Sequence, residues 1–144
     1  LIDLKSFESF DKNLNSNGDD WVSFTALHLS NSVDGSYLLV LTDTPAGRFI
    51  IFNTSTWTKV ADIWGSLNID RFSHPRGIWI DSNNFMIGDD EGYLSLWNVN
   101  GLKHTKKIHS HEAAIRSFTI LGSYLYVGSF DQTVSVWKLK RDIR

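Results

Sequence analysis

The sequence predicts an all-β chain made of three successive four-stranded antiparallel sheets. Three observations carry that prediction. A large apolar residue beside a polar one recurs as Ile2-Asp3, Phe52-Asn53, Trp97-Asn98 and Trp137-Lys138, at intervals of 50, 45 and 40 residues. Between these anchors, runs rich in Val, Ile, Tyr, Phe and Thr alternate with clusters of Gly, Ser, Asn and Asp, which is the chemistry of strands and of the turns joining them. No stretch shows the 3.6-residue apolar period of an amphipathic helix.

The elements follow in chain order. Residues 1–4 read as the end of an earlier unit, and 5–10 as an outer strand. The first unit has strands over 21–29, 37–42 and 49–52, broken by the turns Val33-Asp34-Gly35 and Pro45-Ala46-Gly47. An outer strand is expected over 58–64. The second unit repeats the pattern over 77–80, 85–88 and 93–97, with the acidic turn Asp89-Asp90-Glu91-Gly92 and an outer strand over 103–108. The third runs over 115–120, 124–129 and 134–137, turned by Gly122-Ser123 and by Phe130-Asp131-Gln132-Thr133. One region, 1–144, thus divides into repeats at approximately 5–54, 55–99 and 100–139.

Composition bounds the rest. A chain of 144 residues is too short for two comfortable domains. Its 42% hydrophobic content, with nine Phe and six Trp, suits a packed core built largely from aromatics. The formal charge of −2 lacks the broad positive field of non-specific nucleic-acid binding. With no cysteine there is neither a disulfide nor a thiolate metal site, which fits an intracellular protein, in cytoplasm or nucleus alike. No apolar run approaches the roughly 20 residues that span a bilayer, so membrane insertion is not expected. Because residue 1 is Leu, the true beginning of the protein is expected to lie upstream.

The third repeat carries Ser110-His111, Ile115 four residues after the His, and the run Gly128-Ser129-Phe130-Asp131-Gln132-Thr133-Val134-Ser135-Val136-Trp137. These residues resemble WD repeats, with Ser110-His111 in place of Gly-His and the later run similar to Gly-Ser-x-Asp-x-Thr-Val-x-x-Trp. The resemblance covers nearly the whole chain and implies a partial β-propeller of three four-stranded blades. It also implies a hydrogen-bonded group tying the loop to the inner strands, made of His111, Asp131 and Trp137. His74, Glu91 and Trp97 hold the matching places in the second repeat, where Glu has a longer reach than Asp. The first repeat departs furthest, with Phe52 for Trp and Ala46 for Asp. The Ser or Thr of the group is expected to be missing, since Val127 and Ile87 occupy its places. Propellers need roughly four to eight blades. The chain is therefore expected to be the C-terminal portion of a larger ring, to need the rest of that ring for closure, and by itself to expose two raw faces prone to self-association.

Candidate chemistry is sparse. His104, His109, His111 and Glu112 match no zinc spacing, and Asp89-Asp90-Glu91 lacks the spaced oxygens of a calcium loop, so no metal or cofactor is expected. No nucleophile elbow accompanies the Ser, His and Asp residues, and the chain is not expected to be an enzyme. Lys103, Lys106, Lys107, Lys138, Lys140 and Arg141 fall on outer strands, where edge lysines are protective. In WD-repeat proteins, positions flanking the inward residues of the inner strands, with the residue before the turn acid, line the partner face. Carried over, that face holds Trp21, Ser23, Trp79, Asp90, Arg116 and Phe130, and includes residue types that dominate binding hot spots. The expected function is a non-catalytic scaffold that binds protein or peptide partners in a multiprotein complex. The alternatives are an RNA-associated propeller subunit, or an enzyme with its active site in the channel.

Overall fold

In the computed structural model, the structure describes residues 2–3, 8–9, 25–44, 47–64 and 76–140. All regular structure among them is β. A two-stranded antiparallel sheet joins β1 (Ile2–Asp3) to β2 (Glu8–Ser9). Three larger sheets follow as antiparallel meanders in chain order. The first contains β3 (Thr25–Asn31), β4 (Tyr37–Thr44), β5 (Arg48–Asn53) and β6 (Lys59–Trp64). The second contains β7 (Arg76–Trp79), β8 (Asn84–Gly88), β9 (Tyr93–Asn98) and β10 (Lys103–His109). The third holds β11 (Ile115–Leu121), β12 (Tyr124–Ser129) and β13 (Val134–Lys138), three strands among the described residues. Each outer strand, β6 or β10, pairs with the strand just before it and so belongs to the sheet of the three strands that precede it. The sheets are therefore offset by one strand from the sequence repeats, whose divisions at 54 and 99 fall inside sheets.

The sheets pack face against face because their strands are apolar on both sides. Along β4 and β5, Leu39, Leu41, Phe49 and Ile51 point toward the second sheet, where they meet Trp79, Phe85, Ile87, Trp97 and Val99. The Phe49, Phe85 and Trp97 rings lie 5.0–6.3 Å apart, edge-on or stacked. Such pairs are worth about 1 kcal/mol each beyond their burial. The alternate residues of the second sheet, Met86 and Leu94, meet Ile115, Leu125 and Val127 of the third. Period-2 alternation thus serves two interfaces from a single sheet.

One outer face is bare. On the far side of the third sheet Leu121, Tyr124, Val134 and Val136 are exposed. The far face of the first sheet is not: Val40, Ile50 and Phe52 form a third buried cluster. Of the two raw faces expected, only that of the third sheet is open among the described residues. No helix of the described residues is long and apolar enough to cross a membrane.

Candidate functional site

The loop between β10 and β11 is tied to the β12–β13 turn through His111, whose ring is buried. Its Nδ1 lies 2.8 Å from Asp131 Oδ2, and its Nε2 lies 2.8 Å from Ser135 Oγ. Trp137 Nε1 donates to the same Ser135 oxygen at 2.8 Å. An indole N–H can only donate, so the Ser135 hydroxyl accepts from it and bridges Trp137 to His111 Nε2. His111 Nδ1 also lies 2.9 Å from Thr133 Oγ1. Thr133 also donates to Asp131 Oδ1, at 2.5 Å, and the backbone amides of Glu112 and Thr133 add two more bonds. The Thr133 hydroxyl above all, then His111 and the two amides, outweigh burial and hold the Asp131 carboxyl far below the usual carboxylate range.

Ser135 is the hydroxyl that the sequence was expected to lack. Val127 does occupy the position where one was sought, but Ser135 stands two residues before Trp137 on one strand and so shares its face. The signal was present, since Ser95 precedes Trp97 by the same step. A His111→Ala variant takes one partner from Ser135 and one from Asp131 and leaves a cavity, at a cost of about 3 kcal/mol. Urea unfolding should show a lowered midpoint with an unchanged slope, and an equal midpoint would mean the network adds nothing to stability.

The second sheet solves its turn differently. Asp89, buried, accepts the amides of Glu91 and Tyr93 at 2.9 Å each, so it organises the turn that Glu91 was expected to organise. Burial raises the Asp89 carboxyl, and those two amides partly offset the effect. The Glu91 residue is exposed. Trp97 Nε1 is buried and has no hydrogen-bond partner among the described residues. His74 lies outside the described residues. In the first sheet an ion pair replaces the network. Arg48, wholly buried, donates from Nε and Nη2 to the two Asp62 oxygens at 2.8 Å each, and Lys59 Nζ lies 3.1 Å from Asp62. Trp64 stacks on the Arg48 guanidinium at 4.5 Å. Reading the sequence for the repeat pattern missed this pair, because it falls where the pattern is absent.

Of the expected partner face, three members come together at one end of the inner strands. The Arg116 guanidinium lies 4.2 Å over the exposed Phe130 ring, and its Nη2 is 4.0 Å from Asp90 Oδ1. Arg76, which the sequence reading did not single out, joins them by donating from Nε to the Arg116 carbonyl at 3.0 Å. Trp79 does not join them. It is 3% exposed, stacks on Tyr37 at 5.8 Å, and donates from Nε1 to Ser30 O at 2.9 Å, so it locks the first two sheets together. Its side of β7 also carries Gly77, packed on Leu39, so Trp79 faces the neighbouring sheet and not the rim. Trp21 and Ser23 lie outside the described residues.

From the rim, the inner-strand side continues as a groove. A cavity of about 200 Å³ is lined by His28, Leu29, Arg76, Ile78 and Phe118, and an open one of about 550 Å³ by Val33, Trp79, Ile80 and Ile120. The histidines of the candidate metal cluster are dispersed: His104 lies against Trp97, His109 against Tyr93, and His111 on Asp131. No group of metal-ligating side chains occurs among the described residues. Lys103, Lys106 and Lys107 lie on the exposed edge strand β10, with Lys107 Nζ 4.6 Å over the Tyr93 ring.

Sheets of this register, packed face to face with their inner strands side by side, define three consecutive blades of a β-propeller. The comparisons with known proteins agree. No family model matches the chain. It is 26% identical to the WD repeat-containing protein pop2 of Schizosaccharomyces pombe, over 81% of this chain and 19% of that protein. It superposes with a TM-score of 0.66 on a chain in the crystal structure of the Mitotic Checkpoint Complex, at 18% identity, covering 83% of this chain and 37% of that one. It matches the RRP9 WD40 repeats with a TM-score of 0.64, at 17% identity, over 79% and 34%. The computationally designed Ika4 protein gives 0.63 at 16% identity, over 90% and 74%. The chain spans about a fifth of the curated relative it matches.

Proposed function

We propose that the chain is a non-catalytic interaction module, which presents the rim of its inner strands to protein or peptide partners. The observation that carries this reading is the cluster of Arg116, Phe130, Asp90 and Arg76 on a rigid sheet framework. Phe130 is 65% exposed with its ring held against a guanidinium, so an aromatic anchor stands preformed at the surface. Aromatic and Arg side chains contribute most to binding because they bury large areas at little entropic cost. A propeller chain within the Mitotic Checkpoint Complex shows the same fold inside a multiprotein assembly.

The alignment of Asp131, His111 and Ser135 does not favour hydrolysis. The Ser135 oxygen is engaged by both Trp137 and His111, and the His111 ring is buried, which supports a structural tie. The bare face of the third sheet supports a second contact, with a further sheet of the same propeller. Its Leu121, Val134 and Val136 are the kind of residue that the inner interfaces bury.

The test uses Phe130→Ala and Arg116→Ala in the protein at its full length. Val60→Ala, on the outer strand β6, is the control. Both rim variants should keep the wild-type melting temperature within a few degrees and lower partner recovery in quantitative affinity purification by about tenfold or more. Equal recovery from all three variants would sink the assignment of this face.

A further inference from the structure

Gly88 is a notch in the second sheet. It lies on β8 between Arg76 and Leu94, and an added Cβ would fall 2.5 Å from Ile115 Cγ2 and 2.6 Å from its Cβ. Ile115, the first residue of β11, is fully covered there, and its amide donates to Asp89 O at 3.0 Å. The third sheet thus enters the second through one β-branched side chain and one N–H. On β12 the receiving half of this arrangement occurs again. Gly128 lies between Ser117 and Val134 as Gly88 lies between Arg76 and Leu94. The turn after it is closed by the same bonds: Ser129 N donates to Thr133 O as Asp89 N does to Tyr93 O, and Gln132 N donates to Ser129 O as Gly92 N does to Asp89 O. We propose that Gly128 and the Ser129 carbonyl form a socket for the inner strand of a further β-sheet, which enters with an Ile or Val side chain in the notch and its amide on Ser129 O. The inference rests on the contact of the bare face proposed above, and adds its point of entry and the chemistry recognised there.

The bare face matches, position by position, one that is already filled. Leu94 and Ile80 on the filled face of the second sheet are 1% and 8% exposed, while Val134 and Leu121, which hold the same places in the third, are 67% and 73% exposed. An added Cβ at Gly128 would meet Ser117 Oγ of its own sheet at 2.5 Å and no other residue among those described, so the space that Ile115 takes at Gly88 is open here. A carbonyl oxygen has two lone pairs. At Asp89 one takes the Gly92 amide and the other takes Ile115, and Ser129 O is oriented by the same turn. A β-branched residue suits the notch because its two substituents on Cβ fill it in a single preferred rotamer. A second copy of this chain is the wrong shape. Its bare face carries the same notch and no entering strand, and a two-fold contact would set notch against notch. The far face of its first sheet is closed as well, since Val40, Ile50 and Phe52 are buried.

The test introduces Gly128→Val into the protein at its full length on a Ser117→Ala background, which removes the hydroxyl that would obstruct the new side chain from within the sheet. Gly88→Val is the positive control. Both valines should lower the melting temperature by about 10 °C or more against their own backgrounds. A Gly128→Val variant that melts with its background, while Gly88→Val falls, overturns the socket. Benzoylphenylalanine in place of Val134 then identifies the occupant by photocrosslinking and mass spectrometry. Leu94 shares its cluster with Ile115, Leu125 and Val127, so attachment is expected on the first residue of an inner strand, Ile or Val, or on the strand paired with it. Attachment to the same face of a second copy overturns both the socket and the further sheet. If Gly128→Val is silent but the crosslink still reaches a β-sheet, the socket falls and the contact of the bare face stands.

Discussion

Gly92→Ala is expected to cost on the order of 4 kcal/mol and to lower the melting temperature by roughly 10 °C or more. Gly92 has φ +87°, a conformation that an L side chain adopts only under strain. Space is the larger obstacle. An added Cβ would fall on the His111 carbonyl oxygen, 2.6 Å from its carbon and 2.9 Å from Ala113 O. These are backbone atoms that cannot swing aside as a side chain would. They are also held there, because the Ser110 and His111 amides donate to Gly92 O at 3.0 and 3.1 Å. Displacing the loop would draw His111 away from Asp131 and Ser135, so the strain would spread into the network joining the second sheet to the third. Gly35→Ala is the comparison, with φ +78° and open space around it. It should lose only about 1 kcal/mol. Equal losses in thermal unfolding would remove the steric part of the argument.

Asp62→Ala should cost about 3 kcal/mol, because it takes the carboxylate from a guanidinium that is wholly buried. Replacing both partners, with Arg48→Met added, should recover much of that loss, since an apolar pair needs no compensation for desolvation. A double variant no better than Asp62→Ala would mean that Arg48 acts through its packing on Trp64. The pair also sets a pH dependence. Burial works to raise the Asp62 carboxyl, but the bonds and charges of Arg48 and Lys59 outweigh it and leave it below the ordinary value. A carboxyl depressed in the folded state contributes its stability in full above the unfolded value. That contribution fades as pH falls through the lower folded one. Urea midpoints followed into acid should therefore fall less steeply for Asp62→Ala than for the wild-type chain.

The site was legible in part. Arg116, Asp90 and Phe130 could be placed on one rim because their positions relative to strand and turn repeat from one unit to the next. Arg76 could not, since it stands at the first position of a strand expected to begin at Gly77. Trp79 was misplaced for a physical reason: in a sheet covered on both sides, neither parity of a strand faces solvent. Ser135 was sought on the wrong strand, because a hydroxyl that bridges Trp137 and His111 is defined by a shared face and not by its place in a pattern.

Local chemistry alone settles the strands and turns of this protein. Side-chain alternation and Gly, Asn and Asp punctuation act over a few residues, and observed strand limits from Tyr37–Thr44 to Val134–Lys138 lie within about two residues of those read from them. The neighbours across each sheet face were decided only by packing. The Arg48–Asp62 pair, the Trp79 anchor and the meeting of Arg76 with Arg116 join residues 14 to 49 positions apart. Their energies depend on burial and on distance in space, which no interval along the chain encodes.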